Sequence, residues 1–267
     1  MNKTMRLFLL ALCLASLSTV LPAADNPAPE ATPQKALAGA DTLIRQAASQ
    51  QKYLLLLFRA EENDAVAQLR KTAQEALALT KHQLDFAETD FKDDANKEII
   101  DRFGLRQAPP PVLLVLAPNG AITGGFIPAN CSLSAIKQSL AGPKTTACLK
   151  LLQDGKVALV CVQSAKSENA EAALKTAAEF KEDKRVSGFA GSVVIDPADP
   201  AEKGFLDQLH LNPASTAATT VVLLPPGKIV GTYPGTADKE AMFADITKAM
   251  SGSTCGGGAK SSGCCPR

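Results

Sequence analysis

The apolar residues of the chain fall either in short unbroken runs or in stripes recurring every three to four positions. Their order predicts strands alternating with helices. Ala36, Ala40, Leu43, Ile44 and Ala47 share one helical face, and Tyr53–Phe58 then reads as a strand buried on both sides. The next helix sets Val66, Leu69, Ala73 and Leu77 on one stripe, with Arg70, Lys71 and Glu75 outside it. Gln83–Asp90 is a second strand and Lys92–Phe103 a second helix, with Ile99, Ile100 and Phe103 facing inward. Val112–Leu116 and Ala121–Phe126 form a hairpin turned by Pro118-Asn119-Gly120, because Asn-Gly supplies positive φ angles. Leu133–Leu140 closes the set as a helix.

The second half repeats the first. Leu159–Ala177 aligns without a gap on Leu55–Ala73, Asp196–Leu211 on Asp90–Leu105, and Pro225–Tyr233 on Pro118–Phe126. The offset grows only from 104 to 107 residues, which is the mark of a tandem duplication. The join falls near Gly142-Pro143-Lys144, a helix-stop and linker signal, and the second half closes with a helix over Lys239–Met250.

Two segments lie outside this pattern at the start. Lys3 and Arg6 precede an apolar stretch, Leu7–Val20, and a small-residue site ending at Ala23, so residues 1–23 read as a signal peptide. Cys13 follows Leu12, not the small residue that lipidation expects. Residues 24–35 are Pro- and Ala-rich and read as a flexible leader. No later stretch is long and apolar enough to span a bilayer. The expected product is exported, periplasmic or secreted, and not an integral membrane protein after signal cleavage.

Charge narrows the partners. The formal net charge is +1 with no basic stripe, and aromatics are 4% with no tryptophan, which argues against nucleic acid and against stacking platforms.

The stretch Leu54–Leu69, LLLLFRAEENDAVAQL, resembles the strand–loop–helix opening of a thioredoxin, with its phrase F-x-A-x-x-C-x-x-C. Phe58 and Ala60 keep their places, while Asn63 and Val66 stand where the two cysteines would be. In the second half those positions are Ser167 and Ala170. The resemblance extends to prolines before the hairpin. A thioredoxin carries a cis-proline there, and here Pro111, with Pro110 next, is the candidate; the same count in the second half reaches Ala218. The first domain is expected to keep a recognisable groove and the second to have lost it, the alternative being that the prolines only make a rigid turn into the strand. The expected fold class is α/β: two tandem thioredoxin-like domains, 36–142 and 145–250, each a mixed central sheet flanked by helices. The signal peptide and a flexible Gly/Ser/Cys-rich tail, 251–267, lie outside.

Thiol–disulfide chemistry needs a thiolate at the helix start and a second thiol to resolve the mixed disulfide. Neither half has a C-x-x-C, which argues against an enzyme, and no catalytic residue is assigned. Glu61, Glu62 and Asp64 suit the positive end of a helix dipole, with Asn63 or Asp64 as the cap. His82 and His210 are the only histidines and stand at non-equivalent positions, so no hydrolase or zinc pattern forms around them. Cys161 reads as a core residue, and Cys131 and Cys148 as candidates for a structural disulfide near the join. What the resemblance then implies is a non-catalytic binding or scaffold protein of the cell envelope. It would hold a protein partner in the first-domain groove at Asn63, Val66, Pro110 and Pro111. The alternative is thiol–disulfide or soft-metal handling through Cys255, Cys264 and Cys265, with copper or zinc on those tail thiols.

Overall fold

In a computed structural model, which describes residues 39–80, 83–211 and 215–251, the repeat becomes two four-stranded mixed sheets with helices on both faces. The order in the first sheet is β2-β1-β3-β4: β1 (Tyr53–Arg59), β2 (Leu84–Asp90), β3 (Val112–Leu116) and β4 (Ile122–Phe126). The second sheet has the order β6-β5-β7-β8, with β5 (Val157–Val162), β6 (Ala190–Ile195), β7 (Thr219–Leu224) and β8 (Lys228–Pro234). In each, the first strand pairs parallel to the second and antiparallel to the third, and the last two form a hairpin. These are two thioredoxin-like domains, and the described residues belong to one compact unit. Among them no helix is long and apolar enough to cross a membrane.

The central strands read as solid apolar runs because both of their faces are covered. Leu54, Leu56 and Phe58 pack with Ala47 of α1 (Ala40–Ser49) and Ile99 and Ile100 of α3 (Lys97–Arg102). On the opposite face, Leu55 and Leu57 meet Val66, Leu69 and Ala73 of α2 (Asp64–Leu79) and Ile136 of α4 (Leu133–Gln138). Leu55, Leu56, Leu57 and Phe58 are all fully buried, each contributing about 1.5–3 kcal/mol of transfer free energy. In the second sheet, α5 (Pro143–Gln153) and α7 (Lys203–Gln208) cover one face, and α6 (Ala170–Glu182) and α8 (Lys239–Ser251) the other.

Two expectations change. Pro143 is not part of a linker but the first residue of α5, where its missing N–H costs nothing and its fixed φ suits the helix. In the first hairpin only Gly120 takes a positive φ; Asn119 instead accepts a hydrogen bond from Ala121 N at 3.1 Å. The turn therefore has the form of a type I turn followed by a left-handed glycine, with a register shift at Val115/Leu116.

The first helix of each domain starts at a glycine without a capping side chain, Gly39 and Gly142. The cap comes from the loop after the second strand. Asn96, fully buried, accepts from Ala40 N at 2.7 Å and donates to Thr89 Oγ1 and the Asp90 carbonyl. Its repeat equivalent Glu202, also fully buried, accepts from Lys144 N at 2.7 Å, Thr145 N at 2.9 Å and Thr145 Oγ1. A carboxylate there also faces the positive end of the α5 dipole.

The first domain touches the second through α5. The Gln153 side chain accepts from Ile122 N at 2.9 Å and donates to the Ile122 carbonyl at 2.7 Å, pairing with edge strand β4 as another strand would. The Tyr53 hydroxyl donates to the Ala141 carbonyl beside this joint, and burial, with Glu202 nearby, pushes its pKa up to about 12.

A second repeat equivalence carries a stability prediction. Gly104, with φ of 66°, ends α3 in the left-handed region, and its counterpart after α7 is His210 with φ of 54°. A side chain pays a steric penalty there that glycine does not. His210→Gly is expected to raise the unfolding free energy by about 1 kcal/mol, seen as a higher urea midpoint at unchanged slope.

Candidate functional site

The register brings the two loops of the first-domain groove to one end of the sheet. Phe58 lies opposite Val112, so Arg59–Asn63 leaves β1 at the end where Pro109–Pro111 enters β3. The Pro110–Pro111 peptide is cis; Pro111 is buried, Pro110 half-buried and Pro109 exposed. Among the described residues, no backbone hydrogen bond joins 61–63 to 108–111.

At the helix start the two positions have structural duties. Asn63 is the N-cap of α2: its Oδ1 accepts from Val66 N at 3.0 Å. Val66 itself is fully buried against Leu69 and Ile136 and offers a partner no surface, so it leaves the set of contact residues. Asn63 stays exposed. Glu61 and Glu62 beside it reach cations. Arg70 holds Glu62 through two bonds, of 2.7 and 2.9 Å, and also holds Glu88. That guanidinium keeps the Glu62 carboxyl below the usual range. Arg59 Nε lies 3.2 Å from Glu88, and Lys92 donates to Glu61 at 2.9 Å.

Sequence reasoning missed the cavity beside these loops. It measures about 430 Å³ and is lined by Phe91, Lys92, Lys97, Ile100 and Arg106. The Phe91 ring stands edge-on to Phe58, 6.5 Å away, and Phe91 N donates to the Arg59 carbonyl at 2.8 Å. Helical periodicity marks the inward Ile99, Ile100 and Phe103, whereas the cavity needs cations from the turn after β2, the first residue of α3 and the turn Leu105–Gln107.

The second domain differs at the same end. Ser167 does not cap the helix, which begins only at Ala170 after a left-handed Asn169; its Oγ accepts from Ser164 N at 2.9 Å and closes its own loop. Glu168 N donates to the Thr216 carbonyl at 2.8 Å, and Ala218 N donates to the Glu168 carbonyl at 3.0 Å. Ala218, fully buried, sits immediately before β7 as Pro111 does before β3. The loop thus occupies the backbone edge of its own groove. What remains is a cavity of about 170 Å³ lined by residues that include Ser167, His210, Ser215 and Thr219.

Among the described residues, Cys131, Cys148 and Cys161 are free. The candidate disulfide near the join does not form between them: Cys131 packs on the first-sheet core and Cys148 is buried under the second sheet. Burial raises all three thiols, that of Cys148 up to about 12, so their thiolates are scarce at neutral pH. Residues 1–23 and 24–35, His82, and Cys255, Cys264 and Cys265 lie outside the described residues.

No family model and no curated protein matches the chain. Among solved structures it is similar to human ERp44 form II, at 14% identity over 81% of this chain and 58% of that one, with a TM-score of 0.34. It is also similar to the first two thioredoxin domains of Saccharomyces cerevisiae Eps1p, at 13% identity over 81% and 98%, with a TM-score of 0.29. A third is ERdj5 form II, at 16% identity over 82% of this chain and 28% of that one, with a TM-score of 0.31.

Proposed function

We propose that the chain is an exported, non-catalytic thioredoxin-like binding protein of the cell envelope that holds a protein partner along its first-domain groove. One observation carries this reading: the two positions that would bear a dithiol serve the fold, Asn63 as a helix cap and Val66 as a core residue. The free thiols inside the domains are shielded and raised by burial, which supports the same reading. The contact surface is Asn63, the exposed carboxylates beside it, and Pro110 with the exposed Pro109 before it; Pro111, like Val66, is buried and leaves the contact set.

The test is insulin reduction with dithiothreitol, run on the full chain and on a chain ending at Gly252. The expected rate for both is that of dithiothreitol alone. Turnover by the full chain that disappears with the tail would overturn the reading and place the chemistry on Cys255, Cys264 and Cys265. Copper or zinc bound at those thiols, in a metal titration with thiol counting, would favour the soft-metal alternative.

A further inference from the structure

The cavity beside the first-domain groove has a lining of one kind of charge. Its floor is apolar, the Phe91 ring and the nearly buried Ile100, and its other lining residues are Lys92, Lys97 and Arg106, with no carboxylate among them. Each cation is held by a single acid outside the lining: Lys92 by Glu61, Lys97 by Asp94 at 2.8 Å, and Arg106 by Asp101. All three pairs are solvent-exposed, the cations 62–66% so, and exposed pairs of this kind exchange readily for another carboxylate.

Its position ties it to the groove. Glu61, which Lys92 holds, lies two residues before Asn63, and Arg106 belongs to the single turn Leu105–Gln107 that leads into Ala108-Pro109-Pro110-Pro111. A segment lying along the groove therefore reaches the cavity without leaving the surface. The second domain does not repeat the arrangement, since the residues equivalent to Lys92, Lys97 and Arg106 are Ala198, Lys203 and Asn212.

We propose that this cavity recognises an acidic partner segment, seating one apolar side chain on Phe91 and Ile100 while flanking carboxylates displace Glu61, Asp94 and Asp101 from the three cations. Charge complementarity selects the class, and a volume of about 430 Å³ suits one or two side chains. With a formal net charge of +1 the chain lacks the wide positive field that nucleic acid would need.

The proposal rests on the groove reading above. Its test is fluorescence anisotropy of the full chain with a labelled acidic peptide, a leucine flanked by glutamates, against peptides with lysine or glutamine in place of glutamate. The expected result is binding of the acidic peptide alone, weakened at least about tenfold between about 50 and 300 mM salt. Lys92→Glu with Arg106→Glu is expected to cost a similar factor, and Lys203→Glu nothing. Equal binding of the three peptides, indifference to the charge reversals, or equal binding of a single-stranded DNA oligomer would overturn it. Hydrogen exchange separates the two levels. Charge-independent binding that still protects 58–69 and 104–114 removes the acidic specificity and keeps the groove; binding that protects neither stretch removes both.

Discussion

Glu202→Ala is expected to lower the free energy of unfolding by about 3 kcal/mol. The carboxylate is fully buried and receives two backbone N–H groups and a hydroxyl at the start of α5. Alanine leaves those donors without partners in a space that its side chain does not fill, and it removes the negative charge from the positive end of the helix. Glu202→Gln keeps one acceptor oxygen and is expected to recover about half of the loss, which separates hydrogen bonding from shape. The chain has no tryptophan, so urea unfolding is best followed by far-UV circular dichroism. A loss below about 1 kcal/mol for the alanine variant would mean that water or Thr145 satisfies the helix start without Glu202.

The second large effect is expected at Gly142→Ala, at about 3 kcal/mol, with little change at its counterpart Gly39→Ala. A methyl group at Gly142 would stand 2.4 Å from Glu202 Oε1 and 2.6 Å from the Ala201 carbonyl oxygen; the second of these is backbone and cannot rotate aside. At Gly39 the nearest neighbours would be 3.8 and 3.9 Å away, ordinary contact distances. The two glycines open equivalent helices, so backbone conformation alone predicts equal costs. The longer side chain at 202, against Asn96 in the first domain, and the close Ala201 carbonyl make them unequal. Equal destabilisation of the two variants would show that helix entry, not crowding, sets the requirement.

The central strands and the two matching sheets are legible because they depend on local pattern. Leu54–Phe58 and Val112–Leu116 are apolar without interruption, as strands covered on both faces must be, and the repeat fixes their order twice. The cis bond before β3 falls at the proline that the hairpin count favours. What escapes is whatever one segment supplies to another far along the chain. Asn96 and Glu202 look like ordinary loop residues, yet each caps a helix more than fifty positions earlier. The helix α5 hides behind Gly142-Pro143, a pair that marks a break and a helix start equally well. Even the gap-free alignment of Ser167 on Asn63 conceals a difference, because Glu168 bonds the segment before β7 and α6 starts two residues later than the alignment implies. The cationic cavity is invisible for the same reason. Lys92, Lys97 and Arg106 are spaced too irregularly to share one periodic face.

The Glu168 bridge has a consequence for valence. In the second domain the helix-entry loop bridges through Glu168 to Ala217, beside the residue that enters β7, so that backbone edge is occupied from within. A molecule built from two copies of one fold is then monovalent on this reading. Under the proposed function it would saturate at one partner segment per chain, and avidity would have to come from bringing chains together, not from the second domain.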